Sequence, residues 1–328
     1  MNFKFDFQTY QRQFRKPLQT SHGKWSIREG IILRLIDNNG KIGWGEIAPL
    51  PWFGSETFAQ ARDFCQQLGN QISTAEIATI PDNLSACQFA FATAIESIES
   101  DYINLPTSSY SYLLPAGEAA LNKWKIGWNQ GIKTFKWKIS VQPIATEISI
   151  LRQLIQNIPA AAKLRLDANG GLSYQQAQQW LKIADQTGKI EFLEQPLPPQ
   201  KLPELLKLAT EFTTPLALDE SVATFPQLTD CYQQGWRGIF VIKPGIFGFP
   251  QRLRDFCQQH QIDLVFSSVL ETEIGKQAAL RLAQELGSSG RALGFGVDHW
   301  FKEADSEHFL SKTSPTIKFK SSSNRTPN

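Results

Sequence analysis

From about residue 110 onwards, short apolar segments alternate with amphipathic helical segments, and this alternation restricts the fold more than any other feature. Strands that alternate with helices form a parallel sheet, because each helix returns the chain to the edge where the next strand begins. Eight strands are the number found in a closed β/α barrel. The chain offers eight such segments: SYLLPA, FKWKIS, LRLDAN, EFLEQP, LALDES, IFVIKP, LVFSSV and ALGFGV.

The predicted fold class is therefore α/β, with a (β/α) barrel of the TIM type. An open, doubly wound parallel sheet is the structural alternative. We disfavour it because no G-x-G-x-x-G motif follows the first strand and because the strand–helix units are so even in length.

The first hundred or so residues follow another pattern, in which strands come first and helices follow. Strands are predicted at residues 3–10, 31–37 and 42–46, and helices at residues 58–68 and 83–100. Strands followed by helices are typical of a small α+β unit. We expect an α+β capping domain over residues 1–105 and a barrel over residues 106–300. A C-terminal segment, residues 301–328, is expected to pack near the capping domain and then to become disordered.

Charge, targeting signals and cysteines exclude several classes of protein. Lysine and arginine number 33 against 31 aspartates and glutamates, and a net charge of +2 argues against a nucleic-acid-binding protein. The start, MNFKFDFQTY, lacks the apolar stretch of a signal peptide. The sequence contains no apolar run of ~18 residues, so we expect no membrane span. The four cysteines are widely spaced and form no C-x-x-C motif, which favours free thiols in a reducing compartment. We expect a cytoplasmic protein of unknown oligomeric state.

Ionisable residues end the apolar run in five consecutive predicted barrel strands, at steps of 29, 27, 25 and 24 residues. Each step is one strand–helix unit, so the side chains should meet at the rim where barrel active sites lie. A single charged residue at a strand end is as well explained by exposure to solvent at the rim as by a function. Six such residues in register favour a functional site. The residues are Lys136 and Lys138, Asp167, Glu194, Asp219 and Lys243.

The three carboxylates predict a metal site. Carboxylates directed at one point repel one another and stay ionised together only beside a cation. Oxygen ligands without histidine or cysteine select a hard ion, so Mg²⁺ is the first choice and Mn²⁺ a possible substitute. The predicted ligands are Asp167, Glu194 and Asp219, and the chain has only 4 histidines.

Lysines stand on the strands before and after the predicted ligands. A lysine becomes a base near neutral pH when burial and a neighbouring cation lower its pKa, and Lys136, Lys138 and the metal would provide such surroundings. A carboxylate substrate bound to the metal has an acidified α-proton, because the ion stabilises the enediolate. The residues predict metal-assisted abstraction of a proton α to the carboxylate of a small molecule.

These motifs resemble those of the enolase superfamily, in particular the subgroup of muconate-lactonising enzymes. FKWKIS resembles its K-x-K strand, RLDANG, EQP and DES its three ligand motifs, and KPG its opposite lysine. The resemblance covers nearly the whole chain, including a capping domain with the motif GWGEIAPLP. It implies a Mg²⁺-dependent barrel enzyme that uses a lysine base and no organic cofactor.

Within that subgroup, APLPWFGSET and SSVLET are most similar to the o-succinylbenzoate synthase family. The resemblance implies syn-dehydration of 2-succinyl-6-hydroxy-2,4-cyclohexadiene-1-carboxylate to o-succinylbenzoate, a step of menaquinone and phylloquinone biosynthesis. It implies that Lys138 removes the α-proton and returns it to the departing hydroxyl, that Lys136 orients Lys138, and that Lys243 stabilises the planar anion. It also implies that Asn169 and Glu220 support the ligands and lysines.

Four further residues are candidates for contacts with the substrate. Arg165 points inward two residues before a ligand, so it either contacts a substrate carboxylate or forms an ion pair with a barrel carboxylate. Ser267 and Ser268 end the seventh strand, where they bind a carboxylate or make ordinary strand-end hydrogen bonds. Gly294 lies on the last strand, and no basic residue adjoins it. Two capping-domain loops, residues 13–24 and 52–54, resemble mobile specificity loops or are plain connections.

Two alternative functions remain open from the sequence. The same site suits epimerisation of a dipeptide or an N-acylamino acid, or a muconate-type cycloisomerisation, because Lys138 and Lys243 lie on opposite sides of the predicted metal. A catalytically silent scaffold belongs to a different class. It is disfavoured because no predicted ligand or lysine is replaced.

Overall fold

Two sheets organise the computed structural model, which describes residues 1–20, 23–99, 109–287 and 290–302. The first sheet is antiparallel and belongs to the capping domain. Its strands are β1 (Asn2–Thr20), β2 (Gly23–Ile36), β3 (Ile42–Ile47) and β4 (Gln71–Ser73). They lie in the order β3-β2-β1-β4.

The second sheet is parallel and forms the barrel. Its eight strands are β5 (Tyr110–Leu114), β6 (Thr134–Lys138), β7 (Lys163–Asp167), β8 (Ile190–Glu194), β9 (Leu216–Leu218), β10 (Ile239–Ile242), β11 (Asp263–Phe266) and β12 (Leu293–Gly296). They lie in chain order, and β12 pairs with β5. A parallel bridge between Ser267, just after β11, and Gly294 of β12 joins these two strands. The predicted TIM-type barrel with an N-terminal α+β domain is confirmed.

Helices follow the strands as the periodicity predicts. Ser173 caps its helix as expected, and its hydroxyl accepts the main-chain N–H of Gln176. No helix among the described residues has the length and apolar character needed to cross a bilayer. The helices are α1 (Phe58–Gln67), α2 (Thr74–Ala78), α3 (Ser85–Glu99), α4 (Ala120–Asn129), α5 (Ile144–Asn157), α6 (Tyr174–Thr187), α7 (Leu202–Glu211), α8 (Phe225–Gln233), α9 (Pro250–Gln259) and α10 (Glu273–Leu286).

The segment at residues 13–24 corrects one expectation, because most of it is strand rather than loop. Strand β1 continues to Thr20 and β2 begins at Gly23, with a shift of register before Leu18. Buried Arg12 and Phe14 alternate with exposed neighbours in this arm of the hairpin. This strand was not predicted because a pattern of alternating apolar residues does not include a buried arginine such as Arg12.

Alternation along the barrel strands separates the two faces of the sheet as predicted. Trp137 of β6 points outward and packs edge-on against Trp180 of α6, with ring centroids 6.4 Å apart. The barrel interior is filled by a separate cluster of small and branched side chains with one phenylalanine. Its members are Phe192, Ala217, Ile239, Val241 and Val265. The charged residues at the strand ends therefore lie above an apolar layer that fills the barrel interior.

In the capping domain, α3 packs directly on the backbone of β3. An ideal Cβ on Gly43 would lie 2.0 Å from the carbonyl oxygen of Ala94, and one on Gly45 would lie 2.1 Å from that of Ala90. The two glycines of the GWGE motif are therefore required for this close approach.

Two residues beyond the barrel contact the capping domain. The ring of Phe301 stacks on Phe14 with centroids 4.7 Å apart, and the Arg12 guanidinium lies 3.6 Å from the centre of the Phe301 ring. The main-chain N–H of Lys302 donates to the carbonyl of Gln13. The rest of the predicted C-terminal segment, residues 303–328, and the predicted boundary at residue 105 lie outside the described residues.

Replacing Gly45 with alanine should destabilise the protein. The added methyl group must push α3 away from β3, which typically costs about 1–3 kcal/mol of the free energy of unfolding. Urea denaturation measures this loss, and Lys41→Ala, an exposed change beside the same strand, should cost less than about 0.5 kcal/mol. Equal stability of the two variants would contradict the close packing of α3 on β3.

Candidate active site

A cavity of about 470 Å³ lies at the carboxyl ends of the barrel strands, between the barrel and the capping domain. The capping domain contributes Leu18, Trp25, Trp52 and Phe53 to its walls. Nine of the predicted site residues also line it: Lys136, Lys138, Asp167, Asn169, Asp219, Lys243, Ser267, Ser268 and Gly294. The structure thus brings together the charges that the strand spacing predicted at one rim.

The register of the parallel strands sets the central carboxylates and lysine side by side. Lys138 of β6 is opposite Asp167 of β7, which is opposite Glu194 of β8. Lys136, one pleat lower on β6, places its Nζ 2.9 Å from Asp167 Oδ2 and 2.6 Å from Glu194 Oε1. These buried charges compensate one another, which their removal from water requires.

Lys243 stands across the barrel from these residues. Its strand, β10, is four strands from β6 in either direction around the eight-stranded barrel. Its ammonium pairs with the carboxylate of Asp219, and its Nζ lies 3.9 Å from the centre of the Phe53 ring. A cation at that distance over an aromatic face is attracted by the ring quadrupole. A capping-domain residue therefore helps to hold Lys243 in the cavity.

Lys138 differs from the other two lysines. It lines the cavity and is half-buried, and among the described residues it forms no ion pair. Its amine is thus the one of the three that is not already engaged by a carboxylate within the described part of the chain. A base that must take a proton from a substrate needs such an accessible amine.

The protonation of the site follows from burial and from repulsion between its charges. Burial raises the pKa of Glu194 to about 8, with Lys136 opposing this effect and the charges of Asp167 and Asp219 reinforcing it. Burial would also raise the pKa of Asp167, but Lys136 and Lys138 bring it below its ordinary value. Although burial opposes the charged form of Lys136, the three carboxylates raise its pKa. Lys136 is therefore a fixed cation in this arrangement.

Asn169 and Glu220 lie beside the carboxylates. Asn169 adopts a left-handed conformation with φ of 44°, and its amide donates to Glu220 Oε1 at 2.9 Å. Its main-chain N–H donates to Asp167 Oδ1 at 3.1 Å. Burial, reinforced by the charges of Asp219 and Asp167, raises the pKa of Glu220 to about 7. Asn169 Oδ1 and Glu220 Oε2 are buried without a hydrogen-bond partner.

Gln195 is a supporting residue that the sequence reasoning missed. It is fully buried in a left-handed conformation with φ of 36°. Its Oε1 accepts the main-chain N–H groups of Asp219 and Ser221, and its Nε2 donates to Ser221 Oγ at 2.7 Å. One side chain thus fixes the end of β9 relative to β8. A signal was present in the EQP motif, where a polar residue follows Glu194 at a point that should still be buried.

The donor set fits a hard divalent cation. Asp167, Glu194 and Asp219 offer only carboxylate oxygens, which Mg²⁺ prefers. Burial raises the pKa of Glu194, and repulsion from the two aspartates adds to this effect. Within the described residues, no three acidic, histidine or cysteine side chains are already gathered as a ligand cluster. Instead, the ammonium groups of Lys136 and Lys243 contact the three carboxylates. Binding of a cation would therefore require these ion pairs to rearrange.

The candidates on the last two strands meet at the seam where the barrel closes. The main-chain N–H of Ser268 donates to the carbonyl of Gly294 at 3.1 Å. An ideal Cβ on Gly294 would lie 2.7 Å from Ser267 Oγ, so the close approach requires glycine. All three residues line the cavity opposite β6–β8.

Arg165 is a correction, since it lies below the cavity and not in its wall. Its Nε donates to Glu191 Oε2 at 2.7 Å, and its guanidinium lies 4.8 Å from the centre of the Phe192 ring. Arg291 joins the same network through Glu191 and Asp263. The alternative that the sequence left open, an ion pair with a barrel carboxylate, describes Arg165. Alternation gave its inward direction but not its depth in the barrel.

A larger depression of about 940 Å³ lies at the opposite end of the barrel. It is lined by residues at the beginnings of strands, such as Lys163, Glu191 and Asp263. Active sites of β/α barrels lie at the carboxyl ends of the strands, where the loops are free to vary. The smaller cavity, which holds the lysines and carboxylates, is therefore the candidate active site.

Comparisons with known proteins agree with this geometry. The family model "Enolase C-terminal domain-like" matches residues 121–317, and the model "MenC, N-terminal domain" matches residues 7–98. An o-succinylbenzoate synthase of Thermosynechococcus vestitus is 42% identical over 301 residues, which cover 90% of this chain and 93% of the relative. The chain belongs to the o-succinylbenzoate synthase family. The predicted relationship to the enolase superfamily is confirmed.

Solved structures place the chain in the same family. The o-succinylbenzoate synthase of Thermosynechococcus elongatus, solved with magnesium in the active site, matches with a TM-score of 0.86 at 40% identity. The match covers 94% of this chain and 99% of that one. The L-Ala-D/L-Glu epimerase of Bacillus subtilis matches with a TM-score of 0.77 at 22% identity, covering 91% and 90%. The fold is thus shared between o-succinylbenzoate synthases and epimerases.

Replacing Arg165 with methionine should destabilise the barrel without affecting the cavity. The change leaves buried Glu191 with one partner fewer, and breaking a buried ion pair typically costs about 3–5 kcal/mol. Urea denaturation should show this loss, while the folded variant should bind o-succinylbenzoate as tightly as the wild type. If binding weakened tenfold or more at unchanged stability, Arg165 would instead have to contact the substrate.

Proposed function

We propose that this chain catalyses the dehydration of 2-succinyl-6-hydroxy-2,4-cyclohexadiene-1-carboxylate to o-succinylbenzoate. The observation that carries the proposal is that three lysines and two carboxylates, Asp167 and Asp219, line one cavity at consecutive strand ends, with the third carboxylate, Glu194, paired to Lys136 beside them. This arrangement occurs in a chain that is 42% identical to an o-succinylbenzoate synthase over nearly its full length. The enzyme would therefore be a carbon–oxygen lyase.

Lys138 would act as both base and acid. Its accessible amine takes the proton α to the ring carboxylate, and the electron pair of that C–H bond remains on the substrate. The resulting ammonium then gives the proton to the hydroxyl group as the neighbouring C–O bond breaks, so that water leaves and the ring becomes aromatic. One lysine serves both steps only when proton and hydroxyl leave from the same face, which makes the elimination syn.

Lys136 and Lys243 would support Lys138 without taking the substrate proton. Lys136 is held between Asp167 and Glu194, so it places a fixed positive charge one pleat below Lys138. Lys243 faces Lys138 from the other side of the barrel and would stabilise the planar anion by its charge. Because the Phe53 ring covers Lys243 from the capping domain, the charge is partly shielded from water.

Asp167, Glu194 and Asp219 would hold Mg²⁺. Asn169 would orient Asp167 through its main-chain N–H, and Glu220 would hold Asn169 by accepting its side-chain amide. When bound, the ion supplies positive charge beside the substrate carboxylate. We further propose that Mn²⁺ can replace Mg²⁺, that no organic cofactor takes part, and that Ser267, Ser268 and Gly294 bind a substrate carboxylate. A cytoplasmic location is supported by the free cysteines, three of which are buried.

Epimerisation of a dipeptide or N-acylamino acid is the second candidate, because Lys138 and Lys243 lie on opposite sides of the cavity. In an epimerase both lysines exchange protons with the substrate, whereas the dehydratase needs only Lys138. The two reactions are separated by incubating amino acid derivatives in deuterated water. Incorporation of deuterium from both faces, without o-succinylbenzoate formation, would support the epimerase and contradict the lyase.

Replacing Lys138 or Lys243 with alanine should abolish o-succinylbenzoate formation. Loss of a general base lowers the rate by about 10²–10⁴-fold, and loss of a charge that stabilises the anion by about 10²–10³-fold. An ultraviolet assay of the product, with Mg²⁺ and after its removal by a chelator, measures both. Lys133→Ala, an exposed change just before β6, is the matched control. Wild-type rates for Lys138→Ala would contradict the proposed mechanism.

A further inference from the structure

A second pair of buried carboxylates lies where the capping domain meets the barrel, away from the metal ligands. Glu46 of β3 and Glu271, just before α10, are both buried. An ideal Cβ on Gly275 would lie 2.8 Å from Glu46 Oε2 and 3.0 Å from Glu271 Cβ, so both side chains flank the same glycine. Two neighbouring buried carboxylates cannot both ionise cheaply, and one of them is expected to hold a proton.

The hydrogen bonds of the two groups are unequal. Glu46 accepts the Tyr10 hydroxyl, the main-chain N–H and hydroxyl of Thr272, and the main-chain N–H of Gly275. These donors, two of them at the first turn of α10, stabilise Glu46 as an anion. Glu271 accepts fewer bonds, and its Oε1 is buried without a hydrogen-bond partner. Glu271 is therefore the member of the pair suited to carry the proton.

Two buried arginines of the capping domain lie near this pair of carboxylates. Arg12 of β1 donates to the main-chain carbonyl of Glu271 at 2.9 Å, not to its carboxylate. Arg28 of β2 is buried and donates to the carbonyls of Glu29 and Pro49. Neither guanidinium makes a hydrogen bond to the Glu271 side chain, so Glu46 is the charged neighbour that acts most directly on it.

Glu271 touches a residue of the cavity wall. Its Oε2 accepts the Ser268 hydroxyl at 2.8 Å and the Val269 main-chain N–H at 2.7 Å. Ser268 Oγ in turn accepts the main-chain N–H of Leu270, which has a left-handed φ of 63°. While Glu271 is ionised, the Ser268 hydroxyl therefore donates its hydrogen to Glu271 and not into the cavity, although Ser268 lines the cavity.

We propose that Glu271 is a positioning residue that, by taking up one proton, turns the Ser268 hydroxyl towards a carboxylate of the substrate. The proposal rests on the proposed function, which supplies a carboxylate at this wall. With a proton from solvent on Oε2, Glu271 donates to Ser268 Oγ, and the contact between the two oxygens is kept with its direction reversed. The Ser268 oxygen then accepts from Glu271 and Leu270, and its own hydrogen is free to point into the cavity.

The protonation falls in the range where the enzyme would work. Burial, reinforced by the charge of Glu46, raises the pKa of Glu271 to about 7. Below that pH the protonated form of Glu271 dominates, and the Ser268 hydroxyl donates to the ligand. Above it Glu271 is ionised, and the Ser268 hydroxyl donates to Glu271 instead. A ligand that accepts from Ser268 favours protonated Glu271, so its binding near neutral pH takes up a proton.

The test is the pH dependence of product binding by the Mg²⁺-loaded enzyme. Calorimetric titration with o-succinylbenzoate in buffers of different ionisation enthalpy gives both the affinity and the number of protons taken up. For the wild type, we expect affinity to fall about tenfold between about pH 6 and about pH 8.5, with uptake of up to one proton near pH 7. The same trend should appear in KM and not in kcat.

Two variants and a control identify the groups responsible. Ser268→Ala should bind the product about tenfold more weakly at about pH 6 and lose the pH dependence. Glu271→Gln cannot titrate, so its affinity should not change with pH. Glu56→Gln removes another buried carboxyl group, which accepts the main-chain N–H groups of Ala86 and Cys87 and does not line the cavity, and should keep the wild-type profile.

An unchanged pH slope and proton uptake in both Glu271→Gln and Ser268→Ala would overturn the proposal. If Glu271→Gln does not fold, proton uptake by Ser268→Ala decides alone, since it should fall towards zero. Failure of the proposed function has a different signature, because the wild type would then form no o-succinylbenzoate at any pH. An active enzyme with an unaltered slope in the variants contradicts only the role of Glu271.

Discussion

The cost of burying charge at the ends of apolar barrel strands is the constraint on which the rest of the site depends. Lysines and carboxylates occupy five neighbouring strand ends, and register alone brings Lys138, Asp167 and Glu194 to one level. Each buried charge must then face an opposite one, as Lys136 does between two carboxylates. The same burial gives the site its chemistry, because it raises the pKa of Glu194 despite the charge of Lys136, while Lys138 stays accessible in the cavity wall.

The barrel and the residues at its rim could be predicted from the sequence because both follow from the regular spacing of strands and from alternation along each strand. Strand spacing and two-residue alternation determine which side chains point inward at the carboxyl ends, and nine of twelve predicted residues line the cavity. The depth of Arg165 was not predictable, since alternation gives a direction and not a level. Gln195 was missed because its function depends on Asp219 and Ser221, which another strand brings to it. The strand extension beyond residue 13 was missed because a buried arginine masks its alternation.

The capping domain takes part in the site through a few polar contacts. Glu46 of the GWGE motif accepts hydrogen bonds at the first turn of α10, and Arg12 holds the carbonyl of Glu271. Phe53 covers Lys243. The glycines beside Glu46 let α3 approach β3 closely, so packing of the capping domain and placement of Glu46 depend on the same short motif. The loop that carries Ser268 is thereby fixed from both domains.

The proposed chemistry requires that Asp167, Glu194 and Asp219 together bind one metal ion. Anomalous scattering from crystals of the wild type grown with Mn²⁺ tests it most directly. We expect one strong peak about 2.1 Å from a carboxylate oxygen of each residue, with the amines of Lys136 and Lys243 moved off those carboxylates. A peak elsewhere in the molecule, or none between these three side chains at saturating Mn²⁺, would contradict the account.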